Sequence, residues 1–484
     1  MLDYAVVGGG IGGVLASALL SYMGREVMLF EALDYLGGCA GTFQRKGFHY
    51  NAGAATFVGA EENLPIGSIS KYLGVKLPVK PIDPAMVVYL KDRVINRWRD
   101  RERSLLEIES SFPGMAHSAF WKRVYCVSQS LWNMWCDSLP YPSPTSLLKS
   151  LVKHPVDFFS TLLCNFFSAK HVARLYLGRF NSDYELFLTH HTLITAQGFL
   201  QEVPFSVASL GFTYPNLTNY YAVGGMGKLL EAFAEKIKNI SMKTRVRSIR
   251  KKPWGFLLET SRGNYEARRV ILNTTIWKAG ELLEELKDFS ERAKKRYSKL
   301  WGAFTIYMTV EGEIPEDLAH HHFILLEEPI PYTGSRSLFL SLSEKGDPIL
   351  SKDNTRSITL STHTRLELWE GLSREAYREK KEKATEYCLE LLYQHLPLLR
   401  SLKKVQILTG TPRTFEKYTG RYRGSVGGVP VTRENFPFGY PSPLTPVPGV
   451  YLVGDTVFPG QGWPGVSMGV INLLKFIEKG FELC

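Results

Sequence analysis

Apolar positions cluster at the very start of the chain. Tyr4-Ala5-Val6-Val7 is a short run of the length and composition of a buried strand. Gly8-Gly9-Gly10-Ile11-Gly12-Gly13 interrupts it, and residues 14–23 then carry their apolar side chains at helical spacing. A second apolar run over 26–30 reads as another strand and stops at Glu31. Similar punctuation returns in the middle of the chain. Tyr221-Ala222-Val223-Gly224-Gly225-Met226-Gly227 opens a helical pattern through Leu229, Leu230 and Phe233. Residues 242–249 and 256–260 then predict a strand hairpin, and 269–273 a strand returning to the core. Near the end, the apolar run 449–453 closes on Gly454-Asp455, and Pro459-Gly460-Gln461-Gly462-Trp463-Pro464-Gly465-Val466 leads into a last helix.

The stretches between these elements have another character. Phe120, Val124, Val127, Leu131 and Trp135 recur at helical spacing, so they share one bulky helix face. Residues 146–180 carry Phe158, Phe159, Leu162, Leu163, Phe166 and Phe167, with Lys149, Lys153, Lys170, Arg174 and Arg179 against Asp157. Basic groups flanking aromatics suit either a helix in a membrane interface or an amphipathic helix covering a cavity. Residues 373–396 read as a long charged helix with a solvated face.

Strand, glycine turn, helix, strand and acid, in that order, are the parts of a dinucleotide site. Gly8 permits the tight turn, and Gly10 lets the backbone approach a pyrophosphate. Gly12 belongs to the same turn, and Gly13 lets the helix pack close to the strand. The helix N-terminus presents unpaired N–H groups and a positive dipole end to the phosphates. Glu31 can accept hydrogen bonds from ribose hydroxyls and would repel a 2′-phosphate. The fold class is therefore α/β, built on a Rossmann-type domain.

Leu36-Gly37-Gly38-Cys39-Ala40-Gly41-Thr42-Phe43 follows, leading into Gly47-Phe48-His49-Tyr50-Asn51-Ala52-Gly53. With the glycine turn and Glu31, this GGxxxT segment resembles the FAD enzymes related to amine oxidases and phytoene desaturases. Within them it looks most like carotenoid desaturases and carotenoid isomerases, which usually carry Asp where this chain has Asn51. Thr409-Gly410-Thr411-Pro412-Arg413-Thr414-Phe415 and Gly420-Arg421-Tyr422-Arg423-Gly424 resemble a segment of the same enzymes. The resemblance implies FAD as cofactor, with Gly37, Gly38 and Thr42 beside it and the Val246 backbone against the adenine. It also implies that Asp455 accepts from the ribityl chain, while the helix starting near Gly465 and Val466 points at the flavin. Arg413 and Trp463 are the substrate-side candidates. The FAD-binding domain is then discontinuous (1–80, 211–290 and 405–484), with an α+β substrate domain from 81–210 and 291–404 that faces the substrate or a membrane.

Composition adds three constraints. The chain has 484 residues, enough for two cores, with 44% hydrophobic and 22% charged residues, as in ordinary globular proteins. Its net charge of +11 suits an anionic partner. No nucleic-acid module is present, so an anionic membrane surface is the expected partner, with no nucleic acid. The six cysteines form no CxxC pair and no zinc spacing, so no metal is expected and the thiols read as reduced and mostly buried. No apolar stretch reaches the roughly 18 residues needed to span a bilayer. A cytoplasmic, peripherally membrane-associated protein is expected, or a plastid one if a transit peptide has been removed.

Flavin chemistry on an isoprenoid needs few protein acids, because the flavin carries the redox step. No compelling acid/base pair stands out; His190-His191 and His320-His321-His322 read as loop or core histidines. The expected reaction is desaturation, cis–trans isomerisation or saturation of a carotenoid or related polyisoprenoid, an apolar substrate. A flavin amine oxidase or protoporphyrinogen-oxidase-like enzyme is the alternative. A non-enzymatic prenyl-lipid escort of the same fold is the third reading.

Overall fold

The computed structural model describes residues 1–53, 55–136 and 144–483. Two sheets organise the described chain. In the first, Leu2–Val7 pairs in parallel with Val27–Phe30 on one side and with Gly263–Leu272 on the other. Ile240–Ser241 adds beyond Val27–Phe30, and Val450–Leu452 adds beyond the far end of Gly263–Leu272, both in parallel. Segments from both ends of the chain thus share one parallel layer. The hairpin Val246–Lys252 and Gly255–Thr260 extends it in antiparallel fashion. The first of these strands starts at Val246, later than the pattern over 242–249 predicts. Lys243 takes a left-handed backbone (φ 52°), so a turn replaces the strand's expected beginning.

Parallel strands are buried on both faces and need helices on each. Helix Ile11–Tyr22 supplies one cover, with Val14, Leu15, Leu19 and Leu20 fully buried, and the last helix, Gly462–Ile477, lies against it. Helix Met226–Ala234 packs on the same group through Leu229, Leu230 and Phe233.

The second sheet runs in the order 403–410, 301–311, 355–365, 337–342, 321–325, 86–90, 93–97. Its side-chain alternation divides two environments. Phe304, Ile306, Met308, Leu338, Leu340, Ile358 and Leu360 face a core shared with Ala384, Cys388 and Leu392 of the long helix Arg374–His395. Ala303, Thr305, Phe339, Ser361 and His363, at the alternate positions, face a large internal cavity. Strand Lys403–Gly410 belongs to this second sheet, so the boundary expected at 405 falls after 410. A strand that pairs along its whole length with Trp301–Glu311 cannot be assigned to the other layer.

Helices His117–Met134, Ser182–Ala196 and Phe205–Thr213 close over the cavity, with Phe120, Val124 and Val127 fully buried. The expected helix over 120–135 forms with its bulky face inward. Among the cysteines, Cys39, Cys126, Cys164 and Cys388 are free, and Cys126 is exposed. Cys136 is disulfide-bonded, which corrects the expectation of reduced thiols for that residue. Among the described residues, no helix is long and apolar enough to cross a membrane.

Candidate functional site

A single cavity of about 950 Å³ joins the two sheets. At one end, strand Leu2–Val7 delivers the chain into a turn at Gly8, whose φ of 102° is open to glycine but strained for other residues. Glu31 ends the neighbouring strand and faces the same space. Its Oε2 accepts the Gly9 N–H at 2.7 Å and its Oε1 accepts the Leu33 N–H at 2.7 Å, which holds the carboxylate in one orientation. Val246 lines the cavity beside it, 7% exposed. Gly10 and Gly12 form the floor at the helix start, where a Cβ on Gly10 would lie 2.6 Å from Asn273 Nδ2. The first turn of Ile11–Tyr22 therefore offers main-chain N–H groups directly to whatever lies there.

Further along, Gly37, Gly38, Gly454, Asp455, Gly465 and Val466 line the same cavity. Asp455 forms a two-point ion pair with Arg421, Nη1 to Oδ1 at 3.1 Å and Nη2 to Oδ2 at 3.0 Å. Burial pulls the Arg421 guanidinium down, but the Asp455 carboxylate and the Cys39 thiol together outweigh it, and the net direction is up. The last helix begins here, so two helix N-termini face one elongated space.

Other sequence candidates take different places. Gly13 lies behind the floor, where a Cβ would sit 2.0 Å from the Gly8 carbonyl oxygen. Thr42 turns from the cavity: its hydroxyl donates to Asn51 Oδ1 at 2.9 Å and accepts the Gly227 N–H at 2.9 Å. Asn51 Oδ1 also accepts the Met226 N–H at 2.9 Å, so this pair anchors the start of helix Met226–Ala234. Trp463 lines the cavity, edge-to-face on Phe57 at 5.1 Å, and its buried indole N–H has no partner. Arg413 lies outside the cavity lining. It donates to the carbonyls of Trp369 (3.1 Å) and Leu372 (3.0 Å) and lies over the Tyr377 ring, clamping helix Pro412–Thr419 to the second sheet's helices.

Beyond the last helix the lining becomes largely apolar, with Ile194, Val207, Leu210, Phe323, Phe339, Val431 and Phe436. Among the described residues, the acids on the lining are Glu31, Glu281 and Asp455. Asp455 is already paired, so the apolar half presents no carboxylate to a cationic ligand. Among its polar residues, Gln197 and His363 are joined Nε2 to Nε2 at 3.2 Å. Burial pushes the His363 imidazole down to about 4, so it is neutral at neutral pH. His190, His191, His321 and His322 are core residues; His191 donates through Nδ1 to the Phe187 carbonyl and accepts from Arg97 through Nε2. Sequence reasoning missed Gln197, His363 and the role of Arg421. Only the last had a local signal, its place in the GRYRG segment.

The flavin containing amine oxidoreductase family profile matches residues 11–469, spanning both ends of the cavity. The chain belongs to that family. This flavin-dependent oxidoreductase is 29% identical to prolycopene isomerase 2, chloroplastic, from an Oncidium hybrid cultivar, covering 99% of this chain and 84% of the relative. It is 25% identical to carotenoid 3,4-desaturase of Haloarcula japonica, covering 78% and 79% of the two chains. Among solved structures it is similar to an oxidoreductase from Methanosarcina mazei, with a TM-score of 0.63 and 17% identity over 97% and 99% of the chains. The glycine floor, the fixed Glu31 carboxylate and the paired helix N-termini fit a flavin nucleotide. They would hold and orient that group, and the apolar half of the cavity would keep water from its reactive face.

Proposed function

We propose that this enzyme binds FAD and acts on a carotenoid or related linear polyisoprenoid, by desaturation, cis–trans isomerisation or saturation. The observation that carries the reading is a cavity whose apolar half presents no free carboxylate among the described residues, in a chain similar along nearly its whole length to prolycopene isomerases. An amine substrate needs an anion or an aromatic box for its charge, whereas a polyene is held by buried apolar area, near 25 cal/mol per Å². FAD suits the site because Glu31 and Val246 line the cavity away from Asp455 and would take an adenosine while Asp455 faced the flavin. The cofactor would supply hydride transfer at its N5. The chain orients the polyene, and the Arg421–Asp455 pair places a fixed carboxylate at the cofactor.

The test mixes oxidised enzyme with an amine panel and, separately, both redox forms with carotenoid-loaded vesicles under anaerobic conditions. Carotenoid conversion is expected, with FAD released on acid precipitation and no bleaching by amines. Rapid bleaching by an amine, with carotenoids unchanged in every arm, would overturn the reading.

Such a substrate resides in membranes, and one surface suits a bilayer. Helix Pro155–Leu162 turns Phe158, Thr161 and Leu162 to the cavity and exposes Val156 (81%) and Phe159 (62%). Leu148, Val152, Leu163, Phe166 and Leu175 are exposed nearby, flanked by Lys149, Lys153, Arg174 and Arg179. Binding to anionic liposomes that weakens with salt is expected, at about 1 kcal/mol per basic residue near the surface. Equal binding to neutral vesicles would remove the electrostatic part, and a Phe159→Asp, Leu163→Asp variant that binds normally would move the surface elsewhere.

A further inference from the structure

The apolar half of the cavity contains a polar side-chain pair, Gln197 and His363, in which one hydrogen-bonding atom is left unmet. Gln197 follows helix Ser182–Ala196 in a left-handed backbone (φ 58°, ψ 17°), which a non-glycine residue adopts at a cost. It is 5% exposed, and its carbonyl accepts the Trp301 indole N–H at 3.1 Å. Its amide N–H donates to His363 Nε2, yet its buried Oε1 has no partner. With Nε2 accepting, the neutral imidazole carries its proton on Nδ1. An amide oxygen cut off from water and left unpaired keeps its full desolvation cost until a donor reaches it.

The surroundings keep this amide in place. A Cβ on Gly427 would lie 2.4 Å from both Gln197 Nε2 and Gln461 Oε1, so only glycine leaves room between the two side chains. The next residue, Gly428, abuts Asp455, where a Cβ would lie 2.0 Å from the carbonyl oxygen. The amide thus stands at the flavin end of the apolar cavity rather than at its mouth.

We propose that Gln197, oriented by His363, is a binding site for a hydroxyl group, and that the preferred ligand is an isoprenoid or polyene alcohol held oxygen-first beside the flavin. The hydroxyl donates to Gln197 Oε1, and the hydrocarbon chain fills the apolar lining toward Phe158 and Leu162. This inference rests on the polyisoprenoid reading above and names the substrate class within it.

The test titrates the flavin-loaded protein with a linear polyene alcohol and with the hydrocarbon of the same length, following the flavin spectrum. The alcohol is expected to bind about tenfold more tightly, the worth of one well-made hydrogen bond. In Gln197→Asn, which suits the left-handed backbone but falls a methylene short of His363, the ratio should approach one. Equal affinities in the unmodified protein, or a tenfold preference that survives Gln197→Asn, would overturn the hydroxyl site and leave the polyisoprenoid reading standing. If neither polyene perturbs the spectrum, both inferences fail together.

Discussion

Gly13→Ala should yield a protein that unfolds on the order of 5 °C earlier and loses its flavin on purification. An added Cβ would lie 2.0 Å from the Gly8 carbonyl oxygen and 3.2 Å from Asn273 Cβ. The first contact is main chain, so no rotamer change can relieve it. Helix Ile11–Tyr22 would have to lift from strand Leu2–Val7, and overpacking of that kind costs about 3 kcal/mol. For a chain of 484 residues, that is roughly 1–2 °C for each kcal/mol. Lifting the helix also withdraws its N–H groups from the cofactor. Gly38→Ala provides the comparison: φ is 53°, but nothing lies within 4 Å of the new Cβ, so only about 1 kcal/mol of backbone strain applies. Thermal unfolding followed by circular dichroism, with flavin fluorescence in parallel, reads both. Similar melting points for the two variants would show that helix-to-strand approach at Gly13 is not limiting.

The second large effect concerns the Arg421–Asp455 ion pair on the cavity wall. Arg421 is 13% exposed at its side chain and Asp455 24%, and the two meet through both nitrogens and both oxygens. Asp455→Ala leaves a buried guanidinium with a single remaining bond, from Nε to the Ser425 carbonyl. Removing one partner of such a pair costs about 3 kcal/mol, because the other charge stays desolvated. The double variant Asp455→Ala, Arg421→Met removes both charges and should recover about half of that loss. Urea unfolding of the two single variants and the double closes the cycle. Strictly additive losses would mean that the pair contributes no coupling.

Much of the nucleotide half was legible in the sequence because its chemistry is local. Strand, glycine turn, helix and acid occupy consecutive positions, so Gly8, Gly10, Gly12 and Glu31 could be placed at one end of a cavity from spacing alone. The glycine-aspartate turn at 454–455 depended on a resemblance, and the parallel register of Val450–Leu452 beside Gly263–Leu272 brings it to the same layer. The strand over 242–249 was misplaced because apolar alternation does not register the left-handed turn at Lys243. Thr42 reads as a cofactor-side residue, yet it and Asn51 hydrogen-bond to the helix at Met226, a partner supplied by a distant segment.

The polar part of the substrate cavity belongs to tertiary structure. His363 is one alternate position on a strand, and Gln197 the residue after a helix; neither has neighbours in sequence that mark it. Sheet parity turns His363 inward, the left-handed backbone at 197 aims the amide toward it, and Gly427 leaves them space. Arg413 shows the converse, since its motif lies beside the flavin segments while its side chain reaches Trp369 and Leu372 on the other side of its helix. Local spacing determined the nucleotide fold, because its glycine turn, helix start and acid lie within one short stretch of chain, while the flavin itself followed from the resemblance. Which side chains face the substrate was decided only when two sheets, far apart in sequence, closed on a common cavity.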